Sequence, residues 1–273
     1  MRVRGHGFAH ERGVGVALRL LRTDVPTLTS LGLPDDLTGL IAHRSGLVLV
    51  AGPTGSGKST TLVALIGHLN RTRARHVITL EDPIEFLHAP DRCLIHQREI
   101  GRHAASFASG LRAALREAPD VIVVGELRDA ETIAIALTAA ETGHLVLGTV
   151  HAPGAGGAID RLVDAYPAHQ QAQARTQIAA VLRCVITQHL LPTRSGGRAV
   201  AIERAPVTPA VAALIRNDEL QMLQTHLQTG RDAGMIPLER SLARLVRGGI
   251  VDAALARAAA MDLDYFDRAV RQP

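Results

Sequence analysis

At residues 46–61 the chain reads GLVLVAGPTGSGKSTT, and this run joins three structural signals. Leu47 to Val50 is a continuous apolar stretch, which is typical of a buried strand. The pattern G-x-x-x-x-G-K-S follows, and apolar residues at helical spacing come next. A strand, a glycine-rich loop and a helix in this order predict a phosphate-binding loop for a nucleoside triphosphate. A chance match in a glycine-rich connection is the alternative, which the flanking strand and helix disfavour.

Each residue type in this loop has a physical role in binding phosphate. Glycines permit a tight turn, so that backbone N–H groups converge on phosphate oxygens at the positive end of the following helix. Lys58 is predicted to reach the β- and γ-phosphates, and Ser59 to hold Mg²⁺. The predicted nucleotide-binding residues of the loop are Gly52, Pro53, Thr54, Gly55, Ser56, Gly57, Lys58, Ser59 and Thr60.

Composition narrows the class of protein. The 273 residues are 47% hydrophobic, which suffices for one large domain or two smaller ones. A net charge of +4 and an aromatic content of 2% do not indicate a nucleic-acid binder. The two cysteines do not have the spacing of a metal site.

The sequence has neither the roughly 20-residue apolar run that spans a bilayer nor the apolar core of a signal peptide. We therefore expect a cytoplasmic protein that reaches the inner membrane only through partners.

Periodicity predicts the arrangement of strands and helices. Alternating strand and helix patterns between residues 46 and 151 indicate an α/β fold with a mostly parallel sheet and helices on both faces. We expect strands at 47–51, 76–80, 121–125 and 145–150, helices at 106–117 and 130–142, and an N-terminal pair of short strands at 3–9 and 16–21. Beyond residue 151 we expect a long amphipathic helix at 168–190, a strand at 198–204 and helices at 209–216, 218–228, 237–247 and 252–269.

A carboxylate follows one apolar strand. Val121 to Val124 leads into Gly125-Glu126, which places Glu126 at the carboxyl edge of the sheet, where ligands bind in open α/β folds. This is a Walker B arrangement, in which the acid orients Mg²⁺. A surface acid after a buried strand is the alternative, and it is a weak one beside a phosphate loop.

The segment Glu81-Asp82-Pro83-Ile84-Glu85 places three carboxylates after a second predicted strand. Such crowding repels unless a cation compensates for it. Glu85 is therefore predicted to polarise the attacking water, with Glu81 and Asp82 supporting Mg²⁺ or the loop. A plain acidic turn is the alternative interpretation.

Two histidines bound the predicted strand 145–150. His144 and His151 are separated by seven residues of extended chain, or roughly 23 Å at ~3.3 Å per residue, so they cannot share one metal ion. One of them is a candidate for sensing the γ-phosphate. An ordinary hydrogen-bonded histidine is the alternative for each residue taken alone.

The order of four motifs resembles that of a known family. The phosphate loop is followed by EDPIE at 81–85, GELRD at 125–129 and TAAETGHLVLGTVH at 138–151. This series is similar to that of the type II/type IV secretion ATPase superfamily, and most like its type IV pilus retraction branch, over about residues 3 to 248. The resemblance implies a P-loop NTPase with a RecA-like core that binds ATP and Mg²⁺.

The resemblance also implies roles for particular residues. Glu85 is then the catalytic carboxylate, Glu126 the Walker B acid, and His144 and His151 the histidine motif. Arginines of the family's N-terminal domain reach the phosphates when the subunit closes, and Arg12 and Arg19 fall where the family places such arginines. Taken alone, arginines on a short hairpin would be solvated surface.

The same resemblance divides the chain into four parts and supplies expectations for its assembly. We expect a homo-hexameric ring that acts on an inner-membrane pilus platform protein. The chain begins inside the family's PAS-like N-terminal domain, so most of that domain is expected to be absent. The parts are 1–22, the remnant of that domain; 23–45, a linker with a short helix; 46–205, the RecA-like ATPase core; and 206–273, a C-terminal helical region.

The predicted function is a Mg²⁺-dependent, ATP-hydrolysing motor subunit for pilus retraction. Three alternatives stay open. One is a type II secretion or pilus assembly ATPase, although such proteins typically carry a four-cysteine zinc element that two cysteines cannot build. Another is a truncated, nucleotide-binding regulatory subunit without productive turnover. The third is a DNA-driven translocase, for which the sequence has no nucleic-acid motif.

Overall fold

A computed structural model describes residues 2–21 and 24–271 of the chain. The first two strands, β1 (Arg2–His10) and β2 (Gly13–Leu21), form an antiparallel hairpin, as the N-terminal pattern predicts. A seven-stranded sheet follows, with strand order β5-β4-β6-β7-β3-β8-β9. Its strands are β3 (Gly46–Ala51), β4 (His76–Glu81), β5 (Leu94–Glu99), β6 (Val121–Val124), β7 (Leu145–Val150), β8 (Leu182–Pro192) and β9 (Arg198–Pro206).

The sheet is parallel from β5 to β8, and β9 pairs antiparallel with β8. Strands β3, β6 and β7 are buried along their whole length. Continuous apolar strands are expected where helices cover both faces of a parallel sheet, and a separate apolar core lies on each face here. The predicted α/β class is therefore confirmed.

Ten helices accompany the strands within the described residues. Several begin at a residue that caps the exposed backbone N–H groups; the Asp129 carboxylate, for example, accepts a hydrogen bond of 2.9 Å from the Thr132 N–H. The helices are α1 (Lys58–Thr72), α2 (Phe107–Ala114), α3 (Ala130–Glu141), α4 (Ala155–Asp164), α5 (Gln171–Val181), α6 (Pro209–Asn217), α7 (Leu223–Thr229), α8 (Leu238–Arg247), α9 (Ala253–Ala259) and α10 (Leu263–Arg271). A 3₁₀ helix at Asp35–Ala42 precedes β3.

The predicted long helix at 168–190 is wrong in its second half. Helix α5 ends at Val181, and the chain continues directly into β8. The apolar residues of 181–186 fit a helical spacing, but they are buried because β8 is an interior strand whose two faces contribute to the two apolar cores. Periodicity alone does not distinguish a fully buried strand from a buried helix.

Three smaller differences also separate the sequence pattern from the structure. Strand β5 and helix α4 were not predicted, and the predicted helix at 252–269 is two helices. The break lies at residues 260–262, where the buried Glu239 carboxylate accepts hydrogen bonds of 3.0 Å from the Met261 and Asp262 N–H groups. These bonds satisfy the backbone of the turn and allow α10 to start in a new direction.

The C-terminal helices pack on the sheet in two places. Helices α6 and α7 contribute Val211, Ile215 and Leu223 to one of the two cores, whereas α8 and α10 form a third apolar cluster against the ends of β8 and β9. The division of the chain into four parts stays a prediction. No helix in the described part of the chain combines the length and apolar character needed to cross a membrane.

Candidate nucleotide-binding site

The phosphate loop connects the central strand β3 to the start of α1. Gly52 has φ +141°, and a Cβ atom there would lie 2.5 Å from the Gln188 carbonyl oxygen and 2.5 Å from Ser56 Oγ. Gly55 and Gly57 also have positive φ, at 80° and 91°. Only glycine combines this backbone conformation with this close approach, so the loop is shaped by its sequence and by its contact with β8.

A cavity of about 430 Å³ opens beside this loop. Its walls bring together most residues that the sequence singles out, from the loop, the acidic segment, β6, β7 and the hairpin. These are Arg19, Thr54, Gly55, Gly57, Lys58, Ser59, Thr60, Glu81, Asp82, Glu85, Glu126 and His151. Gly52, Pro53 and Ser56 belong to the loop itself without lining the cavity.

Lys58 lies at the buried end of the cavity and is only 7% exposed. Its ammonium group donates hydrogen bonds of 2.9 Å to the carbonyl oxygens of Gly52 and Pro53, and it lies 3.4 Å from His151 Nδ1. Burial lowers the pKa of Lys58, and the charge of Glu126 partly opposes that shift. The positive charge is thus fixed where phosphate oxygens would enter the loop.

Glu126 follows β6 and remains ionised. Its Oε2 accepts a hydrogen bond of 2.6 Å from Arg128 and lies 3.4 Å from His151 Nε2. Burial raises the pKa of Glu126, but the Arg128 hydrogen bond and the electrostatic influence of His151, Arg128 and Lys58 outweigh burial and hold the pKa below its usual value. An ionised carboxylate at this position can orient a divalent cation.

Glu81 and Glu85 of the acidic segment both line the cavity, but they have different partners. Glu81 accepts hydrogen bonds from Thr79 (2.6 Å) and Gln97 (3.0 Å), and burial raises its pKa despite these bonds. Gln97 also donates to the Phe86 carbonyl oxygen, so this network holds the segment in place. Glu85, in contrast, has 34% of its side chain exposed and lies 3.9 Å from Arg19.

The two histidines lie at opposite ends of β7. His151, at the carboxyl end, is 3.5 Å from Thr54 Oγ1 and also reaches Lys58 and Glu126. His144 precedes the strand, and its Nδ1 is 3.1 Å from the Ala139 carbonyl oxygen at the end of α3. Within one chain, the structure brings His151 to the phosphate loop and leaves His144 on the opposite edge of the sheet, because the six residues of β7 separate them.

The hairpin brings one of the two predicted arginines to the cavity. Arg19 lies directly opposite Arg4 in the β1–β2 pairing, and both side chains line the cavity. Arg12 lies at the hairpin turn, where its N–H donates to His10 Nδ1 at 3.2 Å. Arg12 does not line the cavity of its own chain, since seven residues of extended strand separate it from Arg19, roughly 23 Å, and its phosphate contact stays a prediction.

Four further basic residues that the sequence analysis missed line the cavity: Arg4, His88, Arg128 and Arg198. Arg128 belongs to the GELRD motif, whereas Arg4 reaches the cavity through the register of the hairpin, which the motifs do not contain. His88 and Arg198 had no local signal, because non-local packing alone brings them there. Burial lowers the pKa of His88 to about 4, so its imidazole is neutral at physiological pH.

Known proteins resemble this chain over most of its length. The type II/IV secretion system protein family matches residues 4–235. The chain is 52% identical over 248 residues to the uncharacterized protein YggR of Escherichia coli strain K12, covering 91% of this chain and 76% of that protein. It is 46% identical over 256 residues to the type IV pilus retraction ATPase PilT of Pseudomonas aeruginosa, covering 94% of this chain and 74% of that protein.

A solved structure gives the same result. The crystal structure of the pilus retraction motor PilT with bound ADP matches the chain with a TM-score of 0.88 at 40% identity. The match covers 97% of this chain and 80% of that one. The motif order, the fold and these matches agree, and the chain belongs to the type II/IV secretion system protein family.

Proposed function

We propose that the chain is a Mg²⁺-dependent ATPase and a motor subunit that powers type IV pilus retraction. The observation that carries this proposal is the convergence of Lys58, Glu85 and Glu126 on one cavity at the carboxyl edge of the sheet. The similarity to a pilus retraction ATPase over 94% of the chain supports the motor role.

The phosphate loop binds the nucleotide. Its backbone N–H groups and Lys58 hold the phosphates, and Lys58 exchanges its bonds to the loop carbonyls for bonds to phosphate oxygens. Because the positive end of α1 points at the same place, the loop favours a highly charged anion.

The residues present fit a magnesium ion that binds together with the nucleotide and not one held by protein side chains alone. Among the described residues, no cluster of three or more histidine, cysteine, aspartate or glutamate side chains is arranged for a metal. Ser59, exposed at the start of α1, and the ionised Glu126 would hold Mg²⁺, with phosphate oxygens completing the set. When bound, Mg²⁺ would neutralise part of the negative charge of the phosphates. The hydrogen bonds of Glu81 suit a supporting role, and Asp82 stays a metal candidate because it lines the cavity.

Glu85 aligns the attacking water and accepts its proton. It faces the cavity and lies beside Arg19, whose charge keeps the carboxylate in reach of the phosphate site. Arg19 and Arg4 stabilise charge that develops on the transferred phosphoryl group. His151 contacts Thr54, Lys58 and Glu126, and so connects the loop to the Walker B acid.

The motor role requires assembly. We infer a homo-hexameric ring whose subunits close around ATP in turn and displace an inner-membrane platform protein from the cytoplasmic side. His144 and Arg12 lie far from the cavity of their own chain, and a contact with a neighbouring subunit is the remaining route by which they would meet nucleotide. A type II secretion role and a regulatory subunit without turnover are the alternatives.

Steady-state ATP hydrolysis across a series of protein concentrations, with molar mass measured in parallel by light scattering, tests this function. Turnover that rises as the mass reaches that of a hexamer is the expected result. A monomer that binds ATP without hydrolysing it would contradict the motor role and identify a regulatory subunit. Loss of pilus retraction, with secretion intact, in cells that carry Glu85→Gln would distinguish retraction from secretion.

A further inference from the structure

A second cavity, of about 300 Å³, lies where β9, the 3₁₀ helix at Asp35–Ala42 and α8 meet. It shares no lining residue with the nucleotide cavity. Among the described residues its walls carry five arginines and a single carboxylate, that of Asp36. The arginines are Arg204, Arg231, Arg240, Arg244 and Arg247.

Arg204 and Asp36 form an ion pair in the wall of this cavity. The Arg204 backbone pairs with Ile236 through hydrogen bonds of 2.8 and 3.0 Å, which fix the position of the side chain. Its guanidinium is 2.5 Å from the Asp36 carboxylate, with only 15% of the Arg204 side chain exposed. The one carboxylate that lines the cavity is therefore already engaged by Arg204.

Helix α8 presents three of those arginines along one stripe. Arg240, Arg244 and Arg247 are spaced i, i+4 and i+7, and so lie on the same side of the helix. The opposite side carries Leu238, Leu242 and Leu245, which are buried in the third apolar cluster. Because that burial fixes the helix, the three arginines stay on one face, and like charges at this spacing repel.

We propose that this cavity binds a phosphate-bearing anion with at least two negative charges. Guanidinium groups match phosphate oxygens through paired hydrogen bonds, and a compact polyvalent phosphate neutralises several arginines where one carboxylate would neutralise one. The volume is within the range of small-ligand sites. Ile202, Met235 and Ile236 supply an apolar wall beside the charges. A free polyphosphate and a phospholipid head group share this chemistry.

Calorimetric titration of the full chain with inorganic tripolyphosphate tests the proposal. The phosphate loop also accepts this probe, so we expect two sites, of which Lys58→Ala removes one. The double variant Arg240→Ala/Arg244→Ala removes the other, with binding weakened about tenfold for each arginine lost. Arg71→Ala/Arg73→Ala, which removes two exposed arginines at the end of α1, serves as the matched control and retains both sites.

Vesicle sedimentation distinguishes the two sources of phosphate. Binding to vesicles that contain cardiolipin, whose head group carries two phosphates, but not to phosphatidylcholine vesicles, identifies a head group if the α8 double variant loses it. Tripolyphosphate binding alone identifies a soluble anion. Arg240→Lys/Arg244→Lys keeps the charge without the paired hydrogen bonds and is expected to bind with intermediate affinity, in a chain whose circular dichroism is unchanged. The proposal would be overturned if Arg240→Ala/Arg244→Ala bound tripolyphosphate and vesicles with the same affinity as the unmodified chain.

Discussion

The two walls of the nucleotide cavity are held in different ways. The phosphate loop follows a strand at the centre of the sheet, and Lys58 is 7% exposed. The opposite wall is the β1–β2 hairpin, where the Arg19 side chain is 70% exposed. The apolar residues Val14, Val16 and Leu18 on the hairpin are exposed to 79%, 62% and 68%. In the proposed mechanism, the groups that bind the phosphates thus lie on the buried wall, and the arginine expected to act during turnover lies on the exposed one.

The strongest test of the buried wall is Lys58→Ala. The substitution removes a preorganised charge from a site with little solvent, so we expect nucleotide binding or turnover to fall below detection, a loss of roughly 10³-fold or more. Fluorescent nucleotide titration and phosphate release would measure the two steps. Turnover equal to that of the unmodified chain would remove the loop from the proposed site.

Glu85 lies between the two walls, and Glu85→Gln tests whether chemistry can be separated from binding. The amide keeps the shape but accepts no proton, so kcat should fall by roughly 10²- to 10⁴-fold while ATP still binds. Single-turnover hydrolysis with a parallel affinity measurement checks this. Glu117→Gln, at an ion pair with Arg98 outside the cavity, is the matched control and should leave kcat unchanged.

The exposed wall should contribute less. Arg19→Ala removes a charge that lies 3.9 Å from Glu85, and we expect kcat to fall roughly 10- to 100-fold with little change in ATP affinity. Arg71→Ala, an equally conservative loss of one exposed charge, is the control. If ATP affinity fell and kcat did not, Arg19 would contribute to binding of ATP itself. The proposed difference between the two walls would then be wrong.

The smallest expected effect concerns pH. The hydrogen bond from Arg128 is the largest favourable contribution that lowers the pKa of Glu126. Because a lowered pKa keeps the carboxylate ionised, its function is lost only as the pH falls through that value. Arg128→Ala should therefore move the acidic limb of the kcat/KM profile to higher pH. Arg112→Ala, which breaks an ion pair with Glu131 outside the cavity, is the control and should leave the acidic limb of the kcat/KM profile in place. If Arg128→Ala also left that limb unmoved, the account of Glu126 would be contradicted.

The buried wall could be predicted from sequence far better than the exposed one. The phosphate loop, Glu126 and Glu85 are specified by contiguous motifs after apolar strands, and the carboxyl ends of parallel strands meet at one edge of the sheet. The hairpin pairing that brings Arg4 opposite Arg19 depends on register, which the motif order does not contain. The sequence predicts helix where β8 lies, because the partner strands of β8 and the apolar cores on its two faces come from distant parts of the chain.

The place of β3 in the sheet also determines when the site can form during synthesis. The chain emerges with the phosphate-loop motif at 52–59, yet the strands that flank β3 are β7 and β8, completed only at residues 150 and 192. Gly52 lies against the Gln188 carbonyl oxygen, so the loop is supported by chain made much later. A ribosome-bound chain that stops before residue 188 would therefore carry the complete motif without a loop that can bind ATP.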